Sequence, residues 1–134
     1  MKIYFDADGA VLGRLGSIAC KELLKGKEVA IINAEKVIIS GNEEEIMATL
    51  ANWREKGGIG LKGPRVLRSP DRLMKRMIRG MLPWDRPKGR DAYRRFRCYL
   101  GKGPLSEAEV KLAQKVEVKR PIKFVKLGDI AHRI

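Results

Sequence analysis

The chain has 134 residues, enough for one domain that buries about two-thirds of its unfolded surface and too few to expect a second. Its 29 Lys and Arg against 16 Asp and Glu give a formal charge of +13, more than solubility requires, while 44% hydrophobic residues argue against a disordered basic tail. A folded body with a polyanionic partner is expected, and the longest apolar runs, such as Val29-Ala30-Ile31-Ile32, fall far short of the roughly 18 residues of a membrane span.

Residues 2–5 read as a short strand, Asp8-Gly9 as a turn, and 11–24 as a helix with Leu12, Leu15, Ile18, Ala19 and Leu23 at helical spacing, ended by Gly26. Asp6 and Asp8 also stand where a signal peptide would carry its apolar centre, so secretion is not expected. Residues 28–33 form a nearly continuous apolar run, the pattern of a strand covered on both faces, and 37–40 a second short one. Asn42 and Glu45 resemble a capping box, opening a helix to about residue 54 that turns Ile46, Leu50 and Trp53 inward. This alternation favours a mostly parallel sheet.

Residues 56–69 carry Gly57, Gly58, Gly60, Gly63 and Pro64 among Lys62, Arg65 and Arg68, and read as a long loop. Ser69 as N-cap and Pro70 at the first helical position start a helix that runs to Leu82, where Pro83 stops it. Its Leu73, Met74, Met77, Ile78 and Met81 fall on one side, with Arg72, Lys75, Arg76 and Arg79 on or beside the other. A basic tract follows, Arg86, Lys88, Arg90, Arg94, Arg95 and Arg97, interleaved with Trp84, Tyr93 and Phe96, and 97–100 read as another strand. Ser106 with Glu109 is a second capping box, for a helix to about 116; 122–126 read as extended and 129–134 as a last short helix.

Charge is concentrated. Residues 1–53 hold six basic and eight acidic side chains, 54–102 hold 16 and four, and 103–134 hold seven and four. Of 14 arginines, 11 lie in the middle stretch, and Arg is the side chain whose planar fork suits bidentate phosphate contacts. The expectation is a single domain over 1–134 with a basic, nucleic-acid-binding region at 54–102 and a C-terminal extension at 103–134. Its phosphate-contacting set is Arg65, Arg68, Arg72, Lys75, Arg76, Arg79, Arg86, Lys88, Arg90, Arg94, Arg95 and Arg97, and charge alone does not decide DNA against RNA.

Other chemistries have less to stand on. Gly9-Ala10-Val11-Leu12-Gly13-Arg14-Leu15-Gly16 places glycines between a strand and a helix, where nucleotide phosphates bind, but the spacing is not that of the dinucleotide fingerprint, and no P-loop Lys or Ser/Thr follows. A tight turn plus close helix packing explains it better, with a nucleotide-binding enzyme as the alternative. Ser17 and Ser40 have no evident base, and Glu43-Glu44-Glu45 suits the first turn of a helix. His132 has no Cys or His near it, so neither a metal nor a cofactor is expected. Cys20 and Cys98 read as small buried thiols, with a disulfide left open. The basic face of the 70–82 helix also fits a solvated surface, a membrane-surface helix or a calmodulin-type target; its flanking basic segments favour a phosphate-binding surface. Trp84, Tyr93 and Phe96 fit base stacking and core packing equally well. With no helix-turn-helix, zinc finger, RRM or KH signature, binding through shape and phosphate is preferred, which suits a folded RNA.

Four motifs occur in order over residues 3–104: Asp6-x-x-Gly9-x-x-Leu12-Gly13-Arg14-Leu15; Ile31-Ile32-Asn33-Ala34-Glu35-Lys36-Val37 with Ser40-Gly41-Asn42; Arg79-Gly80-Met81-Leu82-Pro83; and Gly89-Arg90 leading to Cys98-Tyr99-Leu100-Gly101. Together they resemble the large-subunit ribosomal protein thirteen family, in its archaeal and eukaryotic form. The resemblance implies a three-layer α/β/α fold with a four-stranded, mostly parallel sheet, and no catalytic activity. It implies a cytoplasmic place in the large ribosomal subunit, with ribosomal RNA and neighbouring large-subunit proteins as partners and no obligate homo-oligomer. It also implies that residues 79–83 and 89–97 face the RNA, while Asn33, Glu35 and the 9–15 turn serve packing.

Overall fold

The computed structural model describes residues 2–55, 69–116 and 121–131. Strand β1 (Lys2–Asp6) leads through a turn into helix α1 (Leu12–Leu24), and β2 (Glu28–Ile32) returns parallel beside β1, Lys2 opposite Glu28 and Asp6 opposite Ile32. After β3 (Ile38–Ser40) come α2 (Glu43–Glu55), α3 (Pro70–Arg79) and α4 (Pro87–Arg94), and then β4 (Phe96–Cys98), which pairs parallel with the free edge of β2. The chain crosses to the other edge through α5 (Glu107–Lys111), and β5 (Gln114–Lys115) joins β1, also parallel. The sheet order is therefore β4-β2-β1-β5, with every pairing parallel.

Strand alternation explains the layers. Phe5, Val29, Ile31 and Phe96 enter the larger core with Leu12, Leu15, Ala19 and Leu23 of α1, Leu73, Met74 and Ile78 of α3, and Ala92 of α4. Tyr4, Ala30 and Ile32 point the other way and pack with Leu105, Tyr99, Val110 and Ala113, in and around α5. Helices thus cover both faces, the three-layer α/β/α arrangement expected, which is why β2 is apolar at four successive positions. The 37–40 strand does not enter the main sheet: β3 pairs antiparallel with β6 (Phe124–Lys126), and α6 (Leu127–Ala131) tucks Leu127 and Ile130 into the larger core.

Three local expectations are corrected. Ile18 and Trp53, placed inward by spacing, are 36% and 44% exposed, whereas Gly16 and Cys20 of α1 are buried. Ser69 precedes α3 but gives it no side-chain cap; its hydroxyl meets the Asp71 carboxylate. The helix starting at Ser106 stops at Lys111 rather than near 116, leaving its last residues to form β5. The capping box there has both arms: Ser106 Oγ accepts from Glu109 N and Glu109 Oε2 from Ser106 N. The glycine-rich stretch at 56–68, with Lys62, Arg65 and Arg68, and His132 lie outside the described residues.

Candidate nucleic-acid interface

Helix α3 is amphipathic, and its buried stripe orients its cations. Leu73, Met74 and Ile78 are at most 2% exposed, which turns Arg72 and Arg76 to solvent and leaves Lys75 and Arg79 on the flanks. The apolar side lies in the protein's own core, so it is not available to insert into a lipid surface, and among the described residues no helix is long and apolar enough to cross a membrane.

After Arg79 the chain turns sharply. Buried Leu82 anchors the corner, Trp84 N donates to Leu82 O (2.8 Å) and Arg86 N to Pro83 O (3.0 Å). The next residues form helix α4, a segment that reads in sequence only as a basic tract because Gly89 depresses helix propensity and no capping side chain precedes Pro87. Gly89 is what lets α4 sit on the corner: a Cβ at this position would lie 2.1 Å from the Pro83 carbonyl oxygen. With Gly89 and Ala92 buried, Lys88, Arg90 and Arg94 point outward, and Arg86 is exposed just before the helix. On β4, Phe96 is fully buried and Arg97 faces out, its Nη1 donating to the Arg94 and Phe96 carbonyls at 3.1 Å each. Helices α3 and α4 and the edge strand β4 pack together, and this flank carries Arg72, Lys75, Arg76, Arg79, Arg86, Lys88, Arg90, Arg94 and Arg97.

Arg95 is engaged differently. Its Nη2 donates to the Leu23 carbonyl at the end of α1 (2.7 Å), and its Nε is buried without a hydrogen-bond partner among the described residues. It caps the C-terminal end of a helix, where a cation is favoured.

Few anions answer this charge. Among the described residues, the ion pair on this flank is Arg94 with Asp91, at 3.6 Å between largely exposed side chains. Aromatic rings hold two other cations: Arg79 Cζ lies 4.0 Å from the Trp84 ring centroid and Lys75 Nζ 4.9 Å from that of Tyr93, the rings meeting edge to face at 5.2 Å. Burial lowers the pKa of Lys75, and the nearby Arg97 charge adds to the effect. The two aromatic readings thus divide by residue: Phe96 is core, Tyr93 half-buried, and Trp84 37% exposed.

The glycine turn before α1 has structural work at each end. Gly9 adopts φ +75°, and a Cβ on Gly16 would come 2.7 Å from Met81 Sδ, so this glycine lets α1 pack against the chain that follows α3. The adjoining groove, about 590 Å³, is lined mainly by Val11, Leu12, Ile18, Ile38 and Met77, with Arg14 its one charged lining residue, a poor cradle for a nucleotide. Asn33, at φ 57°, donates from Nδ2 to Asp6 Oδ1 (2.9 Å), and the Glu35 carboxylate accepts from Gly101 N, tying together the ends of β1, β2 and β4. Cys20 and Cys98 are both free thiols; burial, with Asp71 nearby, pushes the Cys98 pKa up to about 12.

The fold is that of a basic α/β protein with a parallel sheet, which carries exposed cations on α3, on α4 and on the edge strand β4. The chain belongs to the ribosomal protein L13 family, whose model matches residues 1–104. It is 39% identical over 126 residues to the large ribosomal subunit protein uL13 of Methanocaldococcus jannaschii, covering 92% of each chain. To the protein of the same name from Natronomonas pharaonis it is 37% identical, over 98% of this chain and 90% of the relative. The corresponding Methanopyrus kandleri protein is 46% identical over 72% of this chain and 60% of its own length. The family is one of ribosomal structural proteins, not enzymes, and the nucleotide-enzyme reading of the glycine turn gains no support.

Proposed function

We propose that this protein is a structural constituent of the large ribosomal subunit in the cytoplasm, a single domain that grips folded ribosomal RNA through the α3–α4–β4 flank and sits among neighbouring large-subunit proteins. The observation that carries this reading is that, among the described residues, only Arg94 of the nine cations on α3, α4 and β4 has an ion-pair partner, Asp91. Such a surface repels itself in isolation and is relieved by phosphates, whose binding releases condensed counterions. Arg72, Arg76, Arg86, Lys88, Arg94 and Arg97 contact backbone phosphates, joined by Arg65 and Arg68, while Lys75, Arg79 and Arg90 do so from the α3–α4 corner. Arg95 supports the same surface by fixing the start of β4 to α1.

Sedimentation of tagged protein through a sucrose gradient tests the assignment. Co-migration with large subunits, persisting after a moderate salt wash, is the expected result. Recovery only at the top of the gradient would contradict it.

A further inference from the structure

Trp84 stands at the corner between α3 and α4 and holds a cation from each side. Arg79, the last residue of α3, lies over its ring at 4.0 Å, and Arg90, in the middle of α4, donates from Nε to its carbonyl oxygen at 2.9 Å. One residue thus fixes two arginines, the first through its side chain and the second through its backbone. Its own position is fixed in turn by the Leu82 and Pro83 carbonyl hydrogen bonds, the Tyr93 edge contact and the glycine-only approach of α4 at Gly89. Neither Arg79 nor Arg90 has a carboxylate partner among the described residues.

We propose that Trp84 is a positioning residue that pre-orients Arg79 and Arg90 as a two-guanidinium clamp for a single backbone phosphate of the RNA. The proposal rests on the phosphate-binding reading above and adds the site where one phosphate is gripped by design. Held over the ring, the Arg79 guanidinium makes no hydrogen bond among the described residues, so its N–H donors are left for a phosphate, which accepts from such a fork bidentately. Arg90 commits only Nε to the carbonyl and keeps both terminal nitrogens. A ring orients a cation without neutralising it, so no ion pair has to break when the phosphate arrives. Lys75, held over Tyr93 in the same way at 4.9 Å, adds positive potential behind the clamp. A base stacking on Trp84 would compete with Arg79 for the ring.

Filter binding of the full-length protein to transcribed large-subunit ribosomal RNA, over a salt series with transfer RNA as competitor, supplies the test. Arg79→Ala is expected to weaken binding about fivefold at 0.1 M salt and to flatten the log–log salt slope by about one. Trp84→Leu is expected to weaken it about threefold, and the double variant to bind no worse than Arg79→Ala alone, because the ring acts through the arginine. Losses that multiply to about fifteenfold would place Trp84 in direct contact with the RNA and overturn the proposal, as would wild-type affinity in Trp84→Leu. Should Trp84→Leu fail to fold, judged by circular dichroism, Arg79→Lys decides: charge kept without a stacking plane should cost about threefold, and unchanged affinity overturns the clamp. A flat salt response in the unmodified protein would instead remove the phosphate reading as a whole.

Discussion

Arginines drawn from one basic tract divide into different jobs, and single substitutions separate them. Arg95→Ala removes a charge-assisted hydrogen bond to the Leu23 carbonyl and should lower unfolding stability by about 1–3 kcal/mol in urea titration while leaving the salt slope of RNA binding unchanged. Arg86→Ala, at an exposed position before α4, should do the reverse: stability within about 0.5 kcal/mol of wild type, with a slope flatter by about one. Sequence shows six cations between 86 and 97 but not which one turns inward, because that depends on where the end of α1 falls in space. Cys98 gives a pH-dependent readout. With its thiol pushed up to about 12 by burial, the native protein should leave Cys98 unreactive toward a thiol-disulfide reagent at pH 8, with reaction appearing only on unfolding. Rapid labelling of Cys98 in the folded protein would contradict this.

At the scale of elements, a cap signal reciprocated by a second residue survives into structure where a lone one, such as Ser69 before α3, does not. The Ser106–Glu109 box is satisfied within four residues, so it is readable directly. Ser106→Ala should cost about 1 kcal/mol, seen as a lower thermal midpoint. The hydrogen bond from Ser106 N holds the Glu109 carboxyl below its usual range, so its contribution is complete above that range and is lost as pH falls through the depressed value. In Glu109→Gln, which removes the titrating carboxyl, the acid-side loss of stability should therefore be shallower; an unchanged profile would argue against the box. Helix α4 is the opposite case. Gly89 weakens it as an isolated segment, yet is required because the Pro83 carbonyl occupies the space of a Cβ. Gly89→Ala, a helix-favouring change in isolation, should destabilise by about 1–3 kcal/mol, and a stabilised variant would show that α4 does not pack on the corner as described. Trp53 and Ile18 fall outside the core for a related reason: helical periodicity gives a face but not how far along the helix a neighbour continues to cover it.

For the molecule as a whole, the parallel sheet was legible because β1, α1 and β2 alternate with short connections and β2 is apolar from Val29 to Ile32, the mark of a strand buried on both faces. Charge asymmetry was legible by counting. What the count could not supply is the scaffold that concentrates it: two helices and an edge strand meeting at a corner, with Trp84 and Tyr93 taking the places carboxylates would fill. The pairing of β3 with β6 was also out of reach, since it joins segments more than eighty residues apart. The central claim is that this flank binds RNA by neutralising phosphates. Affinity for large-subunit ribosomal RNA measured from low to physiological salt tests it most directly: about ten engaged phosphates, Arg79 and Arg90 sharing one, predict a log–log slope on the order of −7 to −9, whereas an affinity that stays level across the range would contradict the account.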